Sequence, residues 1–214
     1  MVSDDDLVRR AYARLAPRYD RRWSFYVNAS VFETVHRLEV RSGDHLLDVA
    51  CGTGVLLREI GERYPDVQLS GVDLSAHMLI MAQNRIGSSA ELQVARAEQL
   101  PYAPESFDVV VCTNAFHYFR RPAPVIEEIE RVLKPGGRVV ITDWCHDYLI
   151  CKLCDITLRW IDKAHYRTYT AVELRSFIES AGLDAVGVER YRLSWFWGMM
   201  TARGRKSTIV TTPH

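Results

Sequence analysis

The chain has 214 residues, of which 48% are hydrophobic and 25% are charged, an ordinary balance for one globular α/β domain with a well-developed core. Its 27 basic residues equal its 27 acidic ones, so no overall field favours a nucleic-acid partner. No apolar run approaches the roughly 20 residues of a membrane span, and the acidic N-terminus lacks the apolar core of a signal peptide. Five cysteines, an odd number, fit a reducing setting better than a disulfide framework. We therefore expect a cytoplasmic protein.

A first helix is predicted over residues 3–17, because Ser3 can cap it and aspartates fill its first turn. A basic stripe recurs every four positions in this part of the chain, at Arg10, Arg14, Arg18 and Arg22. This stripe is either a solvated face or a docking site for anionic lipid headgroups, that is, a peripheral membrane contact. A second helix is predicted over Tyr26 to Leu38.

Strand and helix patterns then alternate along the chain. The predicted strands cover 46–50, 67–73, 91–95, 107–113 and 138–143. One helix is predicted over 55–64, and Ser75 can cap a second helix that follows it. A third is predicted over Pro122 to Leu133, and Lys134-Pro135-Gly136-Gly137 is expected to end it. Such alternation predicts an α/β fold with a doubly wound, mainly parallel sheet.

The C-terminal part is less regular. A helix is predicted over 148–164, and a capping box from Thr170 to Glu173 predicts another that ends at Gly182. Residues 185–193 and 194–203 are predicted to form an antiparallel hairpin, and 207–214 a frayed tail. We therefore expect a single domain over 1–206, with a helical lid over 1–40 and a substrate-facing insertion over 144–170.

The segment Leu46–Gly54 has the pattern of a buried strand, a tight glycine loop and a helix start, which lets a ligand approach bare backbone. The third glycine of a dinucleotide-binding motif is missing, because Gly52 and Gly54 are followed by Val55 and two leucines. Asp48 lies in the strand just before the loop. A carboxylate there repels a pyrophosphate and attracts a cationic ligand such as S-adenosylmethionine.

Three more predicted strand ends carry polar groups, and such ends meet at one edge of a doubly wound sheet. Asp73 follows Asp48 at a spacing close to that at which an acid meets ribose hydroxyls in nucleotide folds. The pair Ala97-Glu98 is a weaker signal. The cluster Asn114 to Tyr118 contains His117, which is either a general base or a hydrogen-bonded histidine that shapes the pocket.

The cluster Cys145-His146-Asp147, followed by Cys151 and Cys154, suggests a metal site at first sight. Its spacing matches no common zinc pattern, and leucines and an isoleucine are interspersed as in a packed helix. We therefore predict buried or pocket-lining thiols and no metal.

Several segments together resemble the class I S-adenosylmethionine-dependent methyltransferases. The likeness is strongest to the ubiquinone/menaquinone-biosynthesis type and its small-molecule and phospholipid N-methyltransferase relatives. The segments that carry the resemblance are Ala11–Asp20, Leu46–Gly54, Gly71–Ser75, Ala97–Pro101, Ser106–Val110 and Arg131–Gly137.

The resemblance implies a Rossmann-like methyltransferase fold with seven strands, the last ones forming an antiparallel hairpin. It implies that S-adenosylmethionine is the cofactor and S-adenosylhomocysteine the product. It also implies that Tyr12 belongs to the lid. The cofactor-binding residues that it implies are Tyr19, Asp48, Ala50, Gly52, Gly54, Asp73, Leu74, Met78, Ala97, Glu98 and Asn114.

Two positions depart from the family pattern. Ala50 replaces the first glycine of the loop, which is tolerable if its φ stays negative. Arg96 stands where many relatives carry an acid that contacts the adenine amino group. The Asn-Pro-Pro-Tyr signature of amino-methylating DNA and protein-glutamine enzymes is absent, because Ala115-Phe116-His117 follows Asn114, and a nucleic-acid substrate is therefore not expected.

The predicted function is methyl transfer from S-adenosylmethionine to a small, apolar or amphiphilic acceptor by in-line displacement. The protein then has mainly to align the acceptor and exclude water, and His117 is the candidate base. The alternatives are a phospholipid N-methyltransferase at the membrane surface, a non-catalytic S-adenosylmethionine-binding protein and, from the fold alone, a nicotinamide oxidoreductase. Aromatic side chains of 12–26 and 144–170 are expected to close over the cofactor.

Overall fold

The computed structural model describes residues 25–161, 165–194 and 197–208. The predicted helix over 3–17, Tyr12, Tyr19, the arginine stripe and the end of the predicted tail lie outside these ranges. In the described part of the chain no helix is long and apolar enough to cross a membrane.

Within the described residues seven strands and six α-helices follow one another, and from β1 to β5 they largely alternate as the sequence predicts. The helices are α1 (25–37), α2 (Val55–Arg63), α3 (Ala76–Ile86), α4 (Pro122–Val132), α5 (Leu149–Ile161) and α6 (Ala171–Ser180). The strands are β1 (His45–Val49), β2 (Gln68–Asp73), β3 (Ala90–Val94), β4 (Phe107–Thr113), β5 (Leu133–Trp144), β6 (Leu183–Arg192) and β7 (Gly198–Lys206).

The strands form one sheet in the order β3-β2-β1-β4-β5-β7-β6. The first five pair in parallel, and β7 pairs antiparallel with both β5 and β6. The predicted doubly wound, mainly parallel sheet with a C-terminal antiparallel hairpin is therefore confirmed. Strand order reverses between β1 and β4, and a ligand crevice is expected at that point, outside the carboxyl ends of the strands.

Alternate side chains of the buried strands pack on opposite faces of the sheet. In β4, Val110 and Cys112 belong to the core that α4 and α6 cover, whereas Val109 and Val111 belong to the core with α1, α2 and α3. All four are fully buried. The continuous apolar run of β4 is thus explained by burial on both faces.

The structure moves the boundary between α4 and β5. Lys134–Gly137 does not follow the helix as a separate stop, because β5 already begins at Leu133, which is fully buried and pairs with Phe107. Gly136 has a φ of +76° and a Cβ on Gly137 would lie 2.7 Å from the carbonyl oxygen of Lys134. The two glycines therefore allow the irregular backbone with which β5 begins.

The closing hairpin also differs from its predicted bounds. Its second strand begins at Gly198, not at Ser194. The amide of Leu193 donates to the carbonyl oxygen of Trp197 at 3.0 Å and closes the turn between the strands. A Cβ on Gly198 would lie 2.2 Å from the ring of Tyr148, so this strand start is fixed by a close approach that periodicity does not reveal.

Candidate active site

A cleft of about 250 Å³ opens at the carboxyl ends of the parallel strands, where the strand order reverses. Its walls come from α1, from the loop after β1 and from the segments that follow β2, β3 and β4. Nine of the predicted cofactor-binding residues line it: Asp48, Ala50, Gly52, Asp73, Leu74, Met78, Ala97, Glu98 and Asn114.

The other two predicted cofactor-binding residues lie elsewhere. Tyr19 lies outside the described residues. Gly54 begins α2 with a φ of +74°, and a Cβ there would lie 3.0 Å from the Cβ of Ala82. Gly54 therefore allows α2 to pack on α3, and the direct ligand contact predicted for it stays a prediction.

The loop after β1 is held open by hydrogen bonds to β2. The amide of Cys51 donates to the carbonyl oxygen of Val72 at 3.0 Å, and the amide of Gly52 donates to Asp73 Oδ2 at 2.9 Å. Gly52 takes a φ of +54°, which glycine adopts without steric cost. The Asp73 carboxylate thus ties the loop to the end of β2.

Asp73 also stabilises the start of α3. Its Oδ1 accepts a hydrogen bond from the amide of Ser75 at 2.8 Å, and the Ser75 side chain accepts one from the amide of Met78. The predicted helix cap at Ser75 is confirmed. Burial raises the pKa of Asp73, and the two amide donors partly offset that effect.

Asp48 is the most deeply placed carboxyl group of the cleft wall, with 2% of its surface exposed. Burial raises the pKa of Asp48 well above its usual range, and the nearby charge of Asp73 adds to the shift. A positively charged ligand group favours the ionised form of such a carboxyl. The pair suits a ligand that carries positive charge at one end and hydroxyls at the other, as S-adenosylmethionine does.

Ala50 has a φ of +60°, so the condition of a negative φ is not met. The left-handed region costs a residue with a Cβ roughly 1–2 kcal/mol. The loop geometry that its neighbours require thus imposes a strained conformation on this alanine.

We expect Ala50→Gly to stabilise the protein by about 0.5–1 kcal/mol, because relief of strain exceeds the added entropy of the unfolded chain. The melting temperature should rise by about 2 °C for a chain of this size. Ala115→Gly is the matched control, since Ala115 lines the same cleft with a φ of −130° and should lose stability. Equal shifts in both variants, measured by thermal unfolding, would contradict the assignment of strain to Ala50.

Arg96 lines the cleft and its Nη2 lies 3.5 Å from Glu98 Oε2. The guanidinium at this position therefore lies beside the carboxylate two residues later in the chain. Leu74, Met78 and Ala97 add apolar surface to the same cleft wall.

Asn114 connects the end of β4 to α1. Its Nδ2 donates to Ser30 Oγ at 2.6 Å, and its Oδ1 accepts a hydrogen bond from the Tyr26 hydroxyl at 2.6 Å. The indole nitrogen of Trp144 donates in turn to that hydroxyl. Asn114 itself has a φ of +58°, which asparagine tolerates better than most residues. The network fixes α1 against the cleft, where Val27 and Val31 form part of the wall.

His117 is buried, and the structure does not place it among the residues that line the cleft; its neighbour Tyr118 does line it. His117 Nδ1 lies 2.8 Å from Asp143 Oδ1, and its amide donates to Asp143 Oδ2 at 2.8 Å. Because a carboxylate only accepts, a neutral imidazole at this position carries its proton on Nδ1 and offers Nε2 as an acceptor. This is the orientation in which a carboxylate-held histidine acts as a base.

Sequence reasoning missed Asp143, although it lies near the carboxyl end of β5, the edge at which functional groups collect. It also missed the apolar wall of Val27, Val31 and Phe119, and the basic rim of Arg120 and Arg121. The sequence did contain a signal for Asp143, because this acid ends the apolar run of the predicted strand 138–143. The wall from α1 had no such signal, because its position depends on long-range hydrogen bonds.

None of the described residues of segment 144–170 lines the cleft wall, and the closure of this segment over the cofactor stays a prediction. Trp144 instead packs with Tyr26 and Trp197, at ring distances of 5.9 and 4.7 Å. Tyr169 packs against Phe116 in the core. The segment contacts the residues that follow β4 through the amides of Tyr166 and Arg167, which donate to the carbonyl oxygen of His117.

Cys145 and Cys151 are buried free thiols, as predicted, and Cys154 is partly buried. Burial raises the pKa of Cys145 to about 12. Within the described ranges no group of three or more histidine, cysteine or acidic side chains is arranged to hold a metal ion.

Comparison with known proteins gives relatives of one kind. The family model of a methyltransferase domain matches residues 47–141. The ubiquinone/menaquinone biosynthesis C-methyltransferase UbiE of Geotalea daltonii is 33% identical over 154 residues, covering 67% of this chain and 66% of that protein. The demethylmenaquinone methyltransferase of Symbiobacterium thermophilum is 36% identical over 147 residues, covering 64% and 58%. The chain thus spans less than two thirds of the length of these relatives.

A solved complex between the Haloferax volcanii Trm112 methyltransferase activator and a methyltransferase contains a chain with a TM-score of 0.82. The match covers 92% of this chain and 97% of that one at 19% identity, so it shows the shared fold alone. The fold, the motif set and the sequence relatives agree. The chain belongs to the class I S-adenosylmethionine-dependent methyltransferases and resembles the ubiquinone/menaquinone-biosynthesis enzymes among them.

Proposed function

We propose that the protein transfers the methyl group of S-adenosylmethionine to a small, apolar or amphiphilic acceptor by in-line displacement. The observation that carries this proposal is the two-ended character of one cleft. The end beside β1 and β2 presents the carboxyls of Asp48, which is buried, and of Asp73, which is partly buried. The end beside β4 presents Phe119 and, from α1, the apolar side chains of Val27 and Val31.

The residues of the cofactor end fit S-adenosylmethionine by their chemistry, because carboxylates accept hydrogen bonds and attract positive charge, and apolar side chains pack against a base. Asp48 would face the positively charged methionine end, and Asp73 the ribose hydroxyls, with Leu74 and Met78 against the base. Bound there, the cofactor supplies an already electrophilic methyl group. What remains for the protein is to align the acceptor and to exclude water from the reacting atoms.

The chemical class of the acceptor follows from the wall and from the relatives. The names of the Geotalea and Symbiobacterium proteins refer to quinone methylation. A quinol, an aromatic ring with ionisable hydroxyls and an apolar substituent, matches the apolar wall and the adjacent aromatic rings of Tyr118 and Phe119. Transfer to a ring carbon of such an acceptor requires loss of a hydroxyl proton, and a base must accept that proton.

The test uses methyl-labelled S-adenosylmethionine, the purified protein and a demethylated menaquinol as acceptor, with phosphoethanolamine in a parallel reaction. We expect label in the organic phase with the quinol and none with phosphoethanolamine. Label transferred only to phosphoethanolamine, or no transfer to either acceptor despite cofactor binding, would contradict the proposal.

The same reaction tests His117 as the base. We expect His117→Ala to lower kcat by about a hundredfold, since a positioned base typically contributes 10²–10⁴-fold, and to leave cofactor affinity unchanged. Asp143→Asn should give a similar loss, because an amide no longer fixes the tautomer. His146→Ala is the control, since His146 also lies off the cleft wall but its Nδ1 bonds to the Thr168 hydroxyl at 2.7 Å and not to a carboxylate. Turnover that persists in His117→Ala across the pH range would remove the base assignment.

A further inference from the structure

The outer face of α5 is apolar although it is exposed. Leu149, Leu153, Ile156 and Trp160 are 57–87% exposed, and their spacing of four, three and four residues places them on one narrow stripe of the helix. The opposite side of α5 faces the core with Cys151 and Asp155, which are buried. Four large apolar side chains on one exposed stripe concentrate apolar surface in the way that protein and membrane contact sites do.

Charge identifies the kind of partner. Lys152 and Arg159 are exposed beside the apolar stripe, and at 100° per residue both fall on the same flank of it. The one acidic side chain of α5, Asp155, is turned inward, where it accepts hydrogen bonds from His165 Nε2 at 2.9 Å and from Arg159. Apolar side chains flanked by basic groups are the pattern of a helix that lies in the interface of an anionic bilayer.

The size of the stripe argues against a second copy of the chain as the partner. A helix of 13 residues is about 20 Å long and about 10 Å wide, which gives a footprint of roughly 200 Å². A stable protein interface covers about 800 Å² on each partner. An exposed Trp160 at the end of the helix is also the side chain that favours the boundary between lipid and water.

We propose that α5 is a membrane-docking helix, which lays Leu149, Leu153, Ile156 and Trp160 into the surface of a bilayer containing anionic lipid. The docked helix stays connected to the cleft. Asp155 holds His165, whose ring lies 5.4 Å from that of His117. The Arg120 guanidinium at the cleft rim lies over the ring of Tyr166 at 5.3 Å. Access of an amphiphilic acceptor from the bilayer would follow, a consequence that rests on the proposed function; the docking itself does not.

The test is co-sedimentation of the full chain with vesicles of phosphatidylcholine, with and without phosphatidylglycerol. We expect binding that is stronger with phosphatidylglycerol and weaker at high salt. The double variant Leu153→Gln, Ile156→Gln should lower the partition coefficient at least tenfold. The control Ile80→Gln, Val172→Gln changes two apolar side chains on α3 and α6 that are at least as exposed as Leu153 and Ile156, and it should bind as the wild type does. Circular dichroism and S-adenosylhomocysteine binding verify that every variant is folded.

Three results would overturn the proposal. The first would be a wild-type protein that fails to sediment with phosphatidylglycerol vesicles. The second would be an α5 variant that sediments like the wild type, which would assign docking to another surface, such as the arginine stripe of residues 10–22. The third would be a dimer, detected by sedimentation equilibrium, that the α5 variant abolishes, which would assign the apolar stripe of α5 to contact with a second copy of the chain. None of these readouts depends on methyl transfer, so they are independent of the proposed function.

Discussion

Asp48→Asn is expected to weaken S-adenosylmethionine binding about a hundredfold, the loss that follows when a charge-assisted hydrogen bond of up to ~3 kcal/mol is removed. The substitution keeps the shape of the side chain and removes only its charge. Asp48 is 2% exposed, so water cannot replace the lost interaction with a cationic ligand.

The same substitution should stabilise the ligand-free protein. Burial and the charge of Asp73 raise the pKa of Asp48 well above its ordinary value of 3.8. Between the ordinary and the raised pKa, the folded chain binds more protons than the unfolded chain, so the free energy of unfolding falls as the pH rises. Above the raised pKa the folded chain retains a fixed penalty, which asparagine does not carry. We expect the melting temperature of Asp48→Asn to exceed that of the wild type, and the difference to grow with pH.

Calorimetric titration measures the affinity, and thermal unfolding from acidic to alkaline pH measures the stability. Asp66→Asn is the matched control, because Asp66 is exposed and only receives a hydrogen bond from Ser42 at 3.3 Å. It should change neither quantity. An Asp48→Asn variant that binds the cofactor normally, or that is less stable than the wild type at alkaline pH, would contradict the role assigned to this carboxyl.

Asp73→Ala is expected to lower both cofactor affinity and stability. The carboxylate accepts hydrogen bonds from the amides of Gly52 and Ser75, and each amide left without an acceptor costs about 1–3 kcal/mol. Removal of the repulsion between Asp73 and Asp48 offsets part of this loss. We expect a fall in melting temperature of about 5–10 °C, using 2–4 °C for each kcal/mol, and at least a hundredfold loss in affinity by analogy with the loss at Asp48.

Ser75→Ala separates these two effects. The Ser75 side chain caps α3 by accepting from the amide of Met78, at 3.4 Å, and loss of such a cap costs about 1 kcal/mol. This variant leaves the Asp73 carboxylate in place, so it should lose stability and keep its affinity for the cofactor. If Asp73→Ala binds the cofactor as well as Ser75→Ala does, Asp73 only supports the loop and does not contact the ligand.

Much of the fold follows from local sequence patterns. Alternating apolar runs and helix signals locate the described strands of the sheet to within five residues, the largest error being the start of β5, because buried strands and capped helices leave a strong local signature. The cofactor end of the cleft follows in the same way, since Asp48, Gly52 and Asp73 lie beside the strand ends that a doubly wound sheet brings together.

The remaining features depend on contacts that sequence spacing does not encode. The pairing of His117 with Asp143 joins residues 26 positions apart, and α1 is fixed by a hydrogen bond from Asn114, 84 positions away. The φ of Ala50 is set by the closure of its loop. The exposed stripe of α5 escapes prediction because both sides of this helix carry apolar residues, and periodicity cannot tell which side is covered.

The account depends most on the identity of the ligand in the cleft, and titration of the wild-type protein with S-adenosylhomocysteine and, separately, with NAD tests it most directly. We expect S-adenosylhomocysteine to bind at one site and NAD to show no saturable binding, because the carboxyls of Asp48 and Asp73 favour the ammonium group and repel a pyrophosphate. Saturable binding of NAD, with none of S-adenosylhomocysteine, would contradict the assignment of this cleft as a methyltransferase active site.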